Sequence, residues 1–354
     1  MSGQTFSIGQ AQVGVDNPVV IAEAGVNHLG DLEKAERLIA GAADAGCEVI
    51  KFQTYKAREL TTRHAERFWS WSGESDPEGS QFDSYSALDS FGLEQYRTLR
   101  EMCTSYGIEF MSTPFSPSAV DLLLDVGVGA FKIASCDITN KQLLEYIGSQ
   151  GLPVLLSTGA STIDEIRQAT DWLGLPEGDI LIMHCTLTYP TPPRDANLSA
   201  IRALQAEFPS HFIGYSDHTL GPYIAAASTL FGACVIEKHF TYDKSLPLSA
   251  DHWLSADIPE MTQLVELANS FALAQGNGQK VVLSSENLAR SLARRSVVSA
   301  RNIARGQQIS VNDLAIKRPG TGLSPADFDL LLGAIALEDI PEDTLIEWGM
   351  VDRA

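Results

Sequence analysis

Basic side chains are scarce in this sequence. It carries 25 Lys and Arg against 45 Asp and Glu, a formal net charge of −20 over 354 residues. A general nucleic-acid-binding role is excluded on that balance, because the phosphate backbone needs a basic footprint. The excess acidity serves solubility. Any phosphorylated ligand must be held by a few local cations. Cysteine is sparse too. Cys47, Cys103, Cys136, Cys185 and Cys234 are widely spaced, with no Cys-x-x-Cys pair. That excludes a disulfide framework and a thiolate zinc cluster; the five read as reduced, mostly buried small side chains. No apolar run approaches the ~20 residues of a membrane span. The first residues lack the basic start and apolar core of a secretory signal. A cytoplasmic protein is the expectation.

What is present is ordinary globular material, 44% apolar and 20% charged. That suffices for one large core or two domains. Strand-like runs alternate with amphipathic helical segments. The strands read as Val19–Ala24, Val49–Gln53, Glu109–Thr113, Ala130–Ala134, Pro153–Ser157, Ile180–His184, His211–Tyr215 and Cys234–His239. A helical pattern follows each, the first being Asp31–Ala45 with Asp31 as N-cap. Eight such units predict an α/β fold, a closed (β/α)8 TIM barrel. An open doubly wound sheet is disfavoured, since no Gly-x-Gly-x-x-Gly opens the first helix. Near residue 280 the pattern changes to short strands and turns. The predicted organisation is a catalytic barrel over 1–280, a linker over 281–293 and a small mostly-β domain over 294–354. Within that domain Pro325–Leu332 reads as a helix.

In a TIM barrel the active site forms at the carboxyl ends of the strands. Those ends supply Glu23, Asn27, Lys51, Gln53, Thr113, Lys132, Ser135, Asp137, Ser157, His184, Tyr189, Ser216, His218, Glu237 and His239. Lys51 and Lys132 follow apolar residues at strand ends, where a solvated lysine is not the default. Such cations suit a phosphate or carboxylate, with structural ion pairs as the alternative. His218 and His239 sit 21 residues apart on neighbouring strands. The bland reading is two satisfied core or rim histidines. The functional one is a two-histidine metal site completed by water or substrate oxygen, suited to Mn²⁺ or Mg²⁺ rather than closed structural zinc. No His-x-x-x-His supplies a third ligand. His184 reads equally as a neutral core histidine, and Asp251 is a better substrate contact than His252.

Several segments together resemble one family. Ile21–Asp31, Val49–Thr54, Phe110–Phe115, Phe131–Ser135, Leu156–Gly159, His184–Pro192, Gly214–Thr219 and Glu237–Thr241 are similar to the sialic acid synthases. Arg294–Val298 and Val311–Gly322 resemble the antifreeze-like SAF domain that ends those chains. The resemblance covers about 20–350, in order, and the ordered set is specific where no single motif is. It implies condensation of phosphoenolpyruvate with an N-acetylated aldose to a nine-carbon 2-keto acid and phosphate. It implies a divalent metal on His218 and His239. It implies phosphoenolpyruvate on Lys51, Lys132, Ser135, Ser157 and Ser216, with Thr113 in the same binding set. Glu23, Gln53, Asp137, Tyr189 and Asp251 would then face the sugar or attacking water, Glu23 orienting or deprotonating that water. It further implies a homodimer with exchanged C-terminal domains, Arg318 of one subunit completing its partner's sugar site. Three residues depart from the usual pattern. Leu187 replaces a polar residue, Cys136 a glycine and Asp137 a glutamate. The long stretch 55–92, with Phe68–Ser75 and Gln81–Tyr85, reads as packed aromatics or as a lid over the sugar. The resemblance is closer to N-acetylneuraminate and legionaminate synthases than to pseudaminate synthases. A shorter-chain phosphoenolpyruvate aldol synthase is disfavoured by the C-terminal domain. A non-catalytic sugar-binding scaffold is disfavoured by Lys51, Lys132, His218 and His239 together.

Overall fold

The computed structural model describes residues 5–14, 16–67, 69, 79–246 and 251–352. It divides into two compact units, Met1–Gly276 and Asn277–Ala354.

The first unit is a (β/α)8 barrel. Its strands are β1 (Val19–Gly25), β2 (Val49–Thr54), β3 (Glu109–Pro114), β4 (Phe131–Ile133), β5 (Val154–Ser157), β6 (Ile180–Cys185), β7 (Phe212–Asp217) and β8 (Val235–His239). All the ladders are parallel, and β8 pairs with both β7 and β1. The ends of the hydrogen-bonded order, β3 and β4, lie side by side and bring the sheet round to a near-closed ring. The helices are α1 (Leu32–Asp44), α2 (Leu93–Tyr106), α3 (Pro117–Val126), α4 (Lys141–Gly148), α5 (Ile163–Leu173), α6 (Ser199–Glu207), α7 (Tyr223–Ala227) and α8 (Ile258–Gln275). Their ends follow local chemistry. Asp31 caps α1 by accepting from the Glu33 and Lys34 amides, satisfying donors that a helix start leaves orphaned. Thr162 with Glu165, and Asp257 with Glu260, close capping boxes on α5 and α8. Gly107, Gly127 and Gly174 end α2, α3 and α5 in the left-handed region, which glycine adopts without Cβ strain.

Alternation along each strand divides the barrel in two. One set of side chains, such as Val20, Ile50, Ile182, Ile213 and Ile236, packs outward against the helices. The other set, such as Ile21, Val49, Met111, Leu155, Leu181 and Val235, fills the lower interior. A feature absent from the sequence reading joins that inner set. Phe6–Ile8 and Ala11–Val13 form an antiparallel hairpin whose Phe6, Ile8 and Val13 pack into the inner cluster. Phe6 meets Phe212 with ring centroids 5.7 Å apart. The hairpin plugs the barrel at the amino ends of its strands.

The second unit has its own core around Val297, Ile309, Leu331, Ala336 and Ile346. Ser296–Ser299 pairs antiparallel with Leu314–Lys317, and Ile335–Ala336 with Val351–Asp352. Pro325–Leu331, read as a helix, is 3-10. The segment read as a linker, 281–293, contains a 3-10 turn at Ser284–Glu286 and the helix Asn287–Ala293. Within the stretch 55–92, Ala57–Leu60 and Gln81–Ser86 are short helices. Phe68 and residues 70–78 lie outside the described residues, as does most of the segment considered as a lid.

Candidate active site

Inward-facing side chains at the carboxyl ends of the strands surround a cavity of about 580 Å³. Such a volume is typical of a small-molecule site. Glu23, Lys51, Gln53, Thr113, Lys132, Ser135, Asp137, Ser157, Tyr189, Ser216, His218, His239 and Asp251 all line it. Arg318 belongs to the second unit, where it lies exposed before a cis proline. The three departures, Cys136, Asp137 and Leu187, line the cavity as well.

Its floor is an ion-pair network. Lys51 and Lys132 are each only 3% exposed. Lys51 lies 2.6 Å from Glu23 and 3.7 Å from Glu237, and Lys132 lies 3.4 Å from Glu237. Lys51 donates to the Thr113 hydroxyl at 2.9 Å, and Lys132 to the Ser157 hydroxyl at 2.6 Å. Ser216 donates to Glu237 at 3.0 Å, and Gln53 donates to Glu23 at 2.8 Å. Burial pushes the Glu23 carboxyl up to about 7, against the pull of Lys51. Burial also opposes ionisation of Glu237, but Lys132 and Lys51 outweigh it and hold that carboxyl below the usual range. Desolvation lowers the pKa of Lys132, while Lys51, beside two carboxylates, is raised. Glu237 therefore holds the two cations together. It had been recognised only as a strand-end residue with no role. The signal was available: period two along Glu-Lys-His puts Glu237 and His239 on the same inward face.

His218 and His239 face each other with ring centroids 5.5 Å apart. Tyr189 stacks over His218 at 4.1 Å and lies 6.1 Å from His239. His218 Nδ1 is 2.9 Å from the Thr186 carbonyl. A carbonyl only accepts, so Nδ1 carries a proton and Nε2 is the nitrogen left to face the cavity. Burial lowers the pKa of His239 and keeps that ring neutral. Its Nδ1 is buried without a hydrogen-bond partner, 3.9 Å from an Asp251 oxygen. Among the described residues no set of three or more His, Cys, Asp and Glu converges as a cation site. Two facing imidazoles, one with a hydrogen-bonded second nitrogen, nonetheless fit a divalent cation that takes its other ligands from water or substrate. Other candidates prove structural. His184 faces outward, against Tyr215, with Nε2 2.9 Å from the Ala196 carbonyl. His252 is bonded to Thr241, and Asn27 to the Phe240 carbonyl.

The mouth of the cavity differs in character from the floor. There Tyr55, Leu60, Leu88, Phe115, Leu187 and Trp253 supply apolar surface beside Arg67, Gln81, Asp83 and Ser84. An anionic group would sit on the lysines, while a neutral, partly apolar molecule would occupy the space above.

The chain is 38% identical over 338 residues, 94% of each chain, to N,N'-diacetyllegionaminic acid synthase of Legionella pneumophila. It is 37% identical to the enzyme of that name from Campylobacter jejuni, over 93% of this chain and 98% of the other. The solved N-acetylneuraminic acid (sialic acid) synthetase of Leptospira borgpetersenii is 36% identical, with a TM-score of 0.70 over 81% of this chain and 95% of that one. Residues 38–280 match the NeuB family and residues 294–352 the SAF domain. The chain belongs to the NeuB family of nonulosonic acid synthases and ends in a SAF domain.

Proposed function

We propose that this enzyme condenses phosphoenolpyruvate with an open-chain N-acetylated aldose and water, giving a nine-carbon 2-keto acid and inorganic phosphate. The observation that carries the reading is two buried lysines and two facing imidazoles around one cavity. Lys51 and Lys132 take the phosphate and carboxylate, and their Thr113 and Ser157 partners are placed to share those oxygens. Ser135 and Ser216 add hydroxyls at the same level. Enol C3 forms the new C–C bond to the aldehyde carbon, leaving an oxocarbenium ion at C2. Water adds there, and phosphate leaves with the C2–O bond electrons. Glu23, oriented by Gln53, takes the proton of that water. Mn²⁺ or Mg²⁺ held by His218 and His239 would supply Lewis-acid polarisation of the aldehyde oxygen. Asp137, Tyr189 and Asp251 position the sugar.

The acceptor we favour is a 2,4-diacetamido sugar. The apolar part of the lining suits acetamido methyls, and the two synthases named above are named for a diacetylated product, N,N'-diacetyllegionaminic acid. Arg318, in the second unit, is assigned to the sugar site of a second subunit in a homodimer with exchanged C-terminal domains. The functional test is phosphate release from phosphoenolpyruvate with Mn²⁺ and a panel of acceptors: N-acetylmannosamine, its 6-phosphate, and 2,4-diacetamido sugars. Release dependent on a diacetamido sugar supports the reading. Preference for the 6-phosphate overturns the acceptor assignment, and no release with any acceptor overturns the reaction.

A further inference from the structure

The outer face of the barrel carries a charged pair where the neighbouring side chains are apolar. Asp217 is 1% exposed and Lys238 2%. Around them on the same face lie Ile213, Tyr215, Ile236 and Phe240, all part of the core between sheet and helices. Lys238 donates to an Asp217 oxygen at 2.6 Å and to the Thr219 carbonyl at 2.6 Å. The other Asp217 oxygen accepts from the Thr219 amide and from the Tyr215 hydroxyl, each at 3.0 Å. The Thr219 hydroxyl adds a fourth bond to Asp217, at 2.9 Å. Removing two charges from water is costly, and an apolar pair of similar volume is often as stable or more so. Stability therefore does not explain the pair; the attested use of such a device is to fix register.

Asp217 and Lys238 are register partners on β7 and β8. Successive strand residues point to opposite faces, and a slip of one residue would exchange the faces. One residue beyond Asp217, His218 turns inward. One residue beyond Lys238, His239 does the same. The amide and carbonyl of Thr219, directly after His218, are both tied into the network, and the His218 carbonyl accepts from the Thr191 amide at 2.9 Å.

We infer that the buried Asp217–Lys238 pair is a positioning device for the two imidazoles, setting the spacing of His218 and His239 from the far side of the sheet. Neither residue reaches the cavity. The inference rests on the reading of the histidines as a cation site, and its test separates the two.

The test uses the full chain carrying Asp217→Asn with Lys238→Met. Asn keeps an acceptor for the Thr219 amide and Tyr215 hydroxyl, and no buried charge is left alone. Two measurements are made on protein shown folded by circular dichroism and thermal melting. Mn²⁺ binding is read by electron paramagnetic resonance, and metal-free protein labelled with [15N]histidine is read by NMR. The expected result is Mn²⁺ affinity lower by about tenfold or more, the scale of outer-shell losses. The His218 signals should move from a fixed Nδ1–H tautomer toward an average. A folded double variant with wild-type Mn²⁺ affinity and unchanged histidine signals overturns the inference. If wild-type protein binds no Mn²⁺, the cation reading falls and the histidine spectra alone decide the positioning role. If the double variant does not fold, Thr219→Val removes only the hydroxyl bond to Asp217. It should weaken Mn²⁺ binding to a smaller degree and perturb the same signals, and no change in either overturns the inference.

Discussion

Glu23 joins two environments. It is 3% exposed, it contacts Lys51 at 2.6 Å, and Gln53 holds its other oxygen at 2.8 Å. Replacing it with Gln preserves shape and removes the proton acceptor. Glu23→Gln is expected to lower kcat by about 10²–10⁴-fold, the usual share of general acid–base catalysis. Binding of phosphoenolpyruvate, read by calorimetry, should stay within about threefold, because Lys51 keeps Glu237 as a counter-charge. Unchanged turnover would remove Glu23 from the mechanism. At this scale the sequence was informative where a polar side chain ended an apolar strand. Lys51, Lys132, Ser157, His218 and His239 announced themselves that way, because alternation fixes the inward face. Glu237 was given no role because its importance comes from two lysines on other strands, a proximity no local pattern encodes. His184 is the converse case: a strand-end histidine that alternation turns outward.

At the scale of elements, close approach and burial decide what is tolerated. At Gly148, the last residue of α4, an added Cβ would lie 1.9 Å from the Leu173 carbonyl oxygen at the end of α5. Backbone stands there, so neither partner can rotate away. Gly148→Ala should destabilise the barrel by about 1–3 kcal/mol or more, read from the urea midpoint. The β1–α1 connection is pH-sensitive through His28, which stacks on Phe91 at 4.4 Å and accepts from the Gly30 amide through Nδ1. Burial lowers its pKa to about 4. The folded value is depressed, so between pH 6.5 and about 4 the unfolded chain holds more protons. Stability is present above pH 6.5 and is lost as pH falls through that window, by up to about 3 kcal/mol. Unfolding midpoints against pH should show this slope in wild-type protein and a flatter one in His28→Gln. The barrel helices and strands were legible because each carries a regular period and a cap. The Phe6–Val13 hairpin was not. Its strands are three residues each, and what stabilises them is the barrel interior they plug, far along the chain.

For the whole molecule, charge is divided unevenly. The barrel unit carries 16 basic and 35 acidic side chains, while residues 277–354 carry nine basic and ten acidic. Nearly all the negative charge thus lies on the barrel, and the small unit, with Arg290, Arg294, Arg295 and Arg318, is close to neutral. A near-neutral small unit is repelled little by an acidic barrel, and the exchanged dimer proposed above is testable by complementation. Lys132→Ala and Arg318→Ala chains should each be inactive. Mixed under conditions of subunit exchange, they should recover about a quarter of wild-type activity, since half the dimers are mixed and each mixed dimer has one intact site. No recovery would mean that Arg318 serves its own chain or none.

The hairpin that plugs the lower end also imposes an order of traffic. With that end filled by Phe6, Ile8 and Val13, the lysines are reached, among the described residues, from the side of Tyr55, Leu60 and Trp253. Whatever binds at the bottom must enter before whatever binds above it. On the proposed reaction phosphoenolpyruvate would be the leading substrate, and a sugar that arrives early would block the way. Initial rates should show sugar inhibition at high concentration that added phosphoenolpyruvate relieves, the signature of a vessel with one opening.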